Sequence, residues 1–224
     1  MTLATIRLAI LGFNPYQIII PNLGLGRSLV SQLAINFHLS FQYLIPLFLP
    51  RCLMTPLDNL GITRCLLTNS DLTHLSQSPN ICQLKGLDLS GVTMTYSSPE
   101  LLPALLEKVS ATLQELYLEQ CGIRDSHLES ILHILSHCFQ LMSFSLRGNL
   151  LSMAILEKLL RHTSGLPRLS QELYPVPQEG FSSDGILQTR RLSQCQAELV
   201  EILEDLGHPR TICISFMPLS TLWR

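Results

Sequence analysis

Leu84-Lys85-Gly86-Leu87-Asp88-Leu89 is the stretch that decides the fold, because its pattern recurs. The frame L-x-x-[LF]-x-[LI] begins at Leu57, Leu84, Leu113 and Leu141, so successive starts are separated by a nearly constant step. Within each frame the second and third apolar positions are two residues apart, which puts both on one face of a strand. The pairs are Leu60 and Ile62, Leu87 and Leu89, Leu116 and Leu118, and Phe144 and Leu146. A unit of this length cannot bury its apolar face alone and must stack on its neighbours.

Turn residues follow three of the frames: Ser90-Gly91, Cys121-Gly122 and Gly148-Asn149. Helical patterns come next. Asp125 is placed to cap a helix whose Leu128, Ile131, Leu132 and Leu135 fall at i, i+3, i+4 and i+7. Ser152 is placed to cap the run with Ile155, Leu156, Leu159 and Leu160. Ser98-Pro99 opens the preceding helix, and Pro103 should bend it or delay its start. One strand and one helix per period of about 28 predicts an α/β leucine-rich-repeat solenoid of the ribonuclease-inhibitor-like class. Such a partial horseshoe carries a parallel sheet on its concave face and helices outside.

Three regions are expected: an apolar leader over 1–50, the repeat domain over 51–216 and a tail over 217–224. The segment 1–56 contains no Asp or Glu, and its only Lys or Arg residues are Arg7, Arg27 and Arg51; all 17 acids lie beyond it. The apolar stretch Phe37–Met54 raises a membrane question, but His38, Gln42, Pro46, Pro50 and Arg51 interrupt it. No small-residue cleavage site follows the short apolar run at the start. No frame is set before Leu57. Past the fourth frame, Leu166, Leu169 and Ser170–Leu173 predict a fifth strand with Gln171 facing inward. A long helix over Leu192, Cys195, Leu199, Ile202, Leu203 and Leu206 should end at Gly207 and Pro209, followed by a last strand over Thr211–Phe216.

Seven cysteines without a C-x-x-C pair point to reduced core thiols rather than a disulfide framework. A net charge of −2 with scattered Lys and Arg argues against a nucleic-acid surface, since phosphate binding needs clustered cations. His133, His137 and Cys138 offer two histidines at helical spacing, but no second ligand pair stands at finger spacing. Asn22-Leu23-Gly24-Leu25-Gly26 has two glycines of a dinucleotide loop and Leu29 where the third belongs. No G-x-S-x-G or Walker sequence occurs. The expectation is a protein with no catalytic role, cofactor or metal.

Three strings are long and irregular enough to carry a family likeness: Thr63–Leu89 with the adjoining Ser90-Gly91-Val92, Gly148–Gly165 and Glu172–Glu179. They resemble the PRAME family of leucine-rich-repeat proteins, in its carboxyl-terminal part, over about residues 50 to 216. The resemblance implies a protein-binding horseshoe in the cytoplasm or nucleus. It implies a substrate receptor of a cullin-2-type RING ubiquitin ligase, a corepressor of nuclear-receptor transcription, or both. It further implies links to proliferation and to restraint of apoptosis and differentiation. The family's elongin-binding box, roughly [STP]-L-x-x-x-[CSA], finds no match in residues 1–56. Ser28-Leu29 comes nearest, but Leu33 stands where a small residue belongs. A truncated repeat fragment with a structural or scaffold role is the alternative expectation.

If the function is binding, residues between the frame leucines form the surface. They are expected to stack as Asn59, Gly86, Glu115, Ser143, then Gly61, Asp88, Tyr117, Ser145, then Thr63, Ser90, Glu119, Arg147. Tyr117, a rigid and polar-tipped aromatic, is surrounded there by Asp88, Glu115 and Glu119, with Arg147 at one side. These five are the candidate partner-binding residues. A solvated face with Arg147 simply pairing Glu119 is the competing expectation.

Overall fold

The computed structural model describes residues 32–36, 53, 56–64, 67–94, 100–207 and 212–215, the first of these segments through its backbone. Among them seven strands form one parallel sheet in chain order: β1 (Gln32–Asn36), β2 (Asn59–Thr63), β3 (Gly86–Asp88), β4 (Glu115–Tyr117), β5 (Ser143–Ser145), β6 (Gln171–Pro175) and β7 (Ile212–Ser215). Five helices connect β2 through β7: α1 (Asn69–Gln77), α2 (Leu101–Val109), α3 (Asp125–Leu135), α4 (Met153–Thr163) and α5 (Thr189–Asp205). Each helix packs on the next. Parallel neighbours require such crossovers, and each crossover between β2 and β6 spans one period of the sequence.

Register follows the leucine frame. Leu60 pairs with Leu87, Leu87 with Leu116, and Leu116 with Phe144. All four are at most 1% exposed and join the buried faces of α1 to α4 in one core cluster. The core is therefore a continuous layer between sheet and helices, with no break from unit to unit.

The turns after the frames depend on backbone conformations that glycine adopts most easily. Gly91 (φ 75°) and Gly148 (φ 72°) stand two residues past their frames, as do Arg64 (φ 54°) and Gln120 (φ 55°). A Cβ on Gly91 would lie 3.1 Å from the Arg64 Cα, so these turns also stack closely. Beneath them, Asn149 joins adjacent units. Its Oδ1 accepts from the backbone N–H of Cys121 (3.1 Å) and Ile123 (3.0 Å), and its Nδ2 donates to the carbonyls of Leu118 (2.7 Å) and Leu146 (2.8 Å). Both donors and both acceptor positions of one buried amide are thus used on backbone that lies between the regular elements. Cys121 holds the same frame position one unit earlier, and its thiol donates to the carbonyl of Leu89 at 3.1 Å.

Three expectations are corrected by these elements. First, β1 extends the sheet into the segment expected as a leader: Leu33 pairs with Leu60 and Ile35 with Ile62. Second, β6 aligns Glu172, not Gln171, with the inward Phe144; Gln171 is exposed and Glu172 is 4% exposed. Third, Asp125 is the first residue of α3 rather than its cap. The Arg124 N–H donates to the His127 Nδ1 at 3.1 Å, while Asp125 accepts from the Ser152 N–H of the next unit at 3.0 Å. Of the two effects expected of Pro103, a delayed start fits α2, whose cap is Glu100 and whose first residue is Leu101. Pro103 thus lies in the first turn, where its missing N–H leaves no helical bond unmade. Ser98-Pro99 lies outside the described residues.

Other local readings match. Ser152 caps α4, accepting from the Ile155 N–H at 3.2 Å. The long helix α5 buries Cys195 and Leu199 and precedes Gly207, whose φ is 65°. β7 pairs along β6 from Glu172–Ile212 to Pro175–Ser215. No described helix is long and apolar enough to cross a membrane, and the stretch that raised the question lies almost wholly outside the described residues.

Candidate functional site

Strand alternation sends the residues between the frame leucines to the sheet face opposite the core. Gly86, Glu115, Ser143 and Gln171 stand in one register row, and Gly61, Asp88, Tyr117 and Ser145 in the next. Past the strands, backbone pairing runs on: the Arg64 N–H donates to Ser90, Gly91 to Glu119 and Gln120 to Arg147. Asp88, Glu115, Tyr117, Glu119 and Arg147 therefore come together across three adjacent units.

Their availability differs. Glu119 is committed within the sheet, its Oε1 accepting from the Ser145 hydroxyl at 2.7 Å and its Oε2 lying 3.2 Å from the Arg147 Nε. That nitrogen is not aligned for a hydrogen bond, so the contact is an ion pair alone. With side chains 40% and 23% exposed, the pair contributes on the order of 1 kcal/mol or less. Asp88 accepts from the Ser90 N–H at 2.9 Å, which folds it onto its own turn. Glu115 is exposed and Tyr117 is half-buried.

Around Tyr117 the floor is small. Gly86 is buried, and a Cβ there would lie 2.2 Å from the Asn59 Oδ1, so the site accepts no side chain without moving Asn59. Ser143 and Ser145, also buried, flank the other side. Burial, then the Glu115 carboxylate, raises the Tyr117 phenol above its ordinary 10, with smaller contributions from Asp88 and Glu119; a hydrogen bond with Ser143 opposes them. The phenol is consequently neutral at physiological pH.

The histidines weighed as metal ligands do not converge with their cysteine. The exposed His133 and His137 rings lie 4.6 Å apart, and His137 Nδ1 is 2.8 Å from the His133 carbonyl. Cys138 is buried, with its thiol donating to the Ile134 carbonyl at 3.4 Å. Among the described residues no group of three or more His, Cys, Asp or Glu could hold a metal ion. Burial pushes the Cys138 thiol up to about 11 and the Cys121 thiol to about 12, so neither is an activated nucleophile.

Sequence reasoning missed Asn149 as a unit-to-unit clasp, although its place just past the frame repeats that of Cys121. It also missed the ion pair between Lys85 and Asp58, 3.4 Å apart at the strand starts of neighbouring units.

Comparison with known proteins identifies the family. The family model described as PRAME C-terminal domain matches residues 43–221. Human PRAME family member 12 is 55% identical over 168 residues, which is 75% of this chain and 35% of the relative. Human PRAME family members 8 and 20 are 54% and 48% identical, over 75% of this chain and 35% and 36% of theirs. The chain spans about a third of the length of the curated relatives it matches. With a family model covering most of its length, this chain belongs to the PRAME family, to which it is matched through the C-terminal domain.

Proposed function

We propose that this chain is a protein-recognition module of leucine-rich-repeat type, a partial horseshoe whose concave sheet face binds a protein partner around Tyr117. The observation that carries the reading is the register that places Tyr117 beside Asp88 and Glu115 over a floor of Gly86, Ser143 and Ser145. A rigid aromatic with a polar tip, set in a ring of carboxylates, suits a protein surface better than a small substrate. Family membership supports extending the reading to a substrate receptor of a cullin-2-type RING ubiquitin ligase, or to a transcriptional corepressor acting with nuclear receptors. Proliferation would then be promoted, and apoptosis and differentiation restrained, through the bound protein.

The residues suited to the test follow from the geometry. Glu119→Arg would also break the contacts to Ser145 and Arg147, so Tyr117→Ala with Glu115→Arg is the cleaner variant. A partner captured by affinity mass spectrometry should lose at least tenfold in affinity, with the melting temperature unchanged. His133→Ala with His137→Ala, on the helix side, should leave binding intact. Equal affinity in the sheet variant and loss in the helix variant would sink the assignment.

The alternative, a structural or scaffold role without ligase attachment, has one observation in its favour. The nearest elongin-box match begins at Ser28 and runs into β1, where Leu33 pairs with Leu60 of β2. Pull-down with probing for elongin C and cullin-2 separates the two readings.

A further inference from the structure

Arg190-Arg191-Leu192-Ser193 is the single place in the chain where two arginines stand three and two residues before a serine or threonine. We propose that Ser193 is a phosphorylation site for a basophilic Ser/Thr protein kinase, using ATP, and that access to it depends on opening the first turns of α5. This inference is independent of the sheet-face reading. In the reaction the Ser193 Oγ bonds to the γ-phosphorus, ADP leaves with the electrons of the broken P–O bond, and the hydroxyl proton passes to the kinase's carboxylate base.

Three observations converge. Ser193 is exposed, and so are Arg190 and Arg191, as recognition by an acidic cleft requires. The start of α5 is weakly held: Gln188 at the cap makes no side-chain hydrogen bond, and the first turn contains no acid. Its two arginines oppose the positive end of the helix dipole instead. The first side chain of α5 that is fully buried is Cys195, beyond the serine. Opening the helix as far as Ser193 breaks exposed backbone bonds, the Ser193 hydroxyl contact to the Thr189 carbonyl at 3.0 Å and the Arg191 contact to the Phe181 carbonyl at 2.7 Å, with no core residue exposed. A kinase can thereby receive the segment extended.

The modified helix recloses more firmly than it opened. At i−3 from the phosphate stands Arg190, at i−4 Thr189, and at i+3 and i+4 Gln196 and Ala197, so on the helix surface the dianion meets a cation and no carboxylate.

The test uses the full chain, a purified basophilic kinase and ATP, with sites read by tandem mass spectrometry. Phosphate is expected at Ser193, is lost in Ser193→Ala, and is incorporated at least tenfold more slowly in Arg190→Ala, a variant that leaves the Arg191 contact in place. Gln188→Asp, which supplies a cap, should slow incorporation severalfold in the folded chain but not in a peptide of residues 186–198. The phosphorylated chain should melt a few degrees higher. Phosphate placed chiefly elsewhere, a rate indifferent to Arg190, or equal slowing by Gln188→Asp in chain and peptide would overturn the proposal.

Discussion

The middle units and the last full unit use one backbone plan with different chemistry at its centre. In β3, β4 and β5 the inward positions are Leu87, Leu116 and Phe144, and the core there is wholly apolar. In β6 that position holds Glu172, 4% exposed, and Tyr174, 1% exposed, stands two residues on, where the earlier units have Leu89, Leu118 and Leu146. The pair satisfies itself in part: the Tyr174 hydroxyl donates to Glu172 Oε2 at 2.6 Å, and its ring meets Phe144 edge-on with centroids 6.1 Å apart. Inward placement is therefore imposed by the parallel ladder, and a polar residue survives there only with a partner supplied at the same depth.

That difference can be broken from its strong side first. Leu116→Asp puts an unpaired carboxylate in the apolar centre, where no donor stands ready as Tyr174 does for Glu172. The cost of several kcal/mol is large against a typical stability of about 5–15 kcal/mol. Soluble, cooperatively melting protein from this variant would contradict the register. Asn149→Ala comes next. It removes four hydrogen bonds to buried backbone and should cost about 2–4 kcal/mol, read as a drop in the urea midpoint at constant m-value.

Tyr174→Phe sharpens the comparison in the last unit. It keeps the ring against Phe144 and removes the donor to Glu172, for an expected loss of about 1–3 kcal/mol. Tyr174→Phe with Glu172→Leu should recover much of that loss, because the buried acceptor is gone too. A double variant no better than the single one would show that Glu172 serves further contacts.

The smallest expected effect concerns thiols. Cys121 and Cys138 should resist alkylation near pH 8 in the native chain, while the exposed Cys82 and Cys213 react. Their folded values of about 12 and 11 lie above the ordinary 9.0, so the fold favours the protonated thiols. Their stabilisation is complete below pH about 9 and is lost as pH rises from there through 11 and 12. Cys121→Ser with Cys138→Ser should accordingly lose less stability than the parent over that range, measured by urea titration.

Legibility followed the apolar period. The strands of the middle units, the Ser152 cap and the end of α5 at Gly207 could all be read because leucine spacing and turn residues act locally. β1 was hidden by one substitution: Val30-Ser31-Gln32-Leu33-Ala34-Ile35 fits the frame with valine in first place, one period before Leu57. The fifth frame was hidden by two. Leu169-Ser170-Gln171-Glu172-Leu173-Tyr174 starts one period after Leu141, but a Glu in the leucine position makes Leu173 look inward. In both places the spacing persisted where the residue type departed.

The sequence by itself determined a stack of α/β units, their spacing and most of the residues facing its core, because a period of about 28 with leucines two apart leaves few other ways to bury them. Only the tertiary structure decided which polar groups are committed and which are open. Asn149, Asp125 and Glu119 resemble any solvated polar residue in the sequence. Each is engaged by a neighbouring unit, through the backbone of Cys121 and Ile123, the backbone of Ser152 and the side chains of Ser145 and Arg147. These partners lie about one period away along the chain, and no local pattern encodes a contact that exists only once the units are stacked.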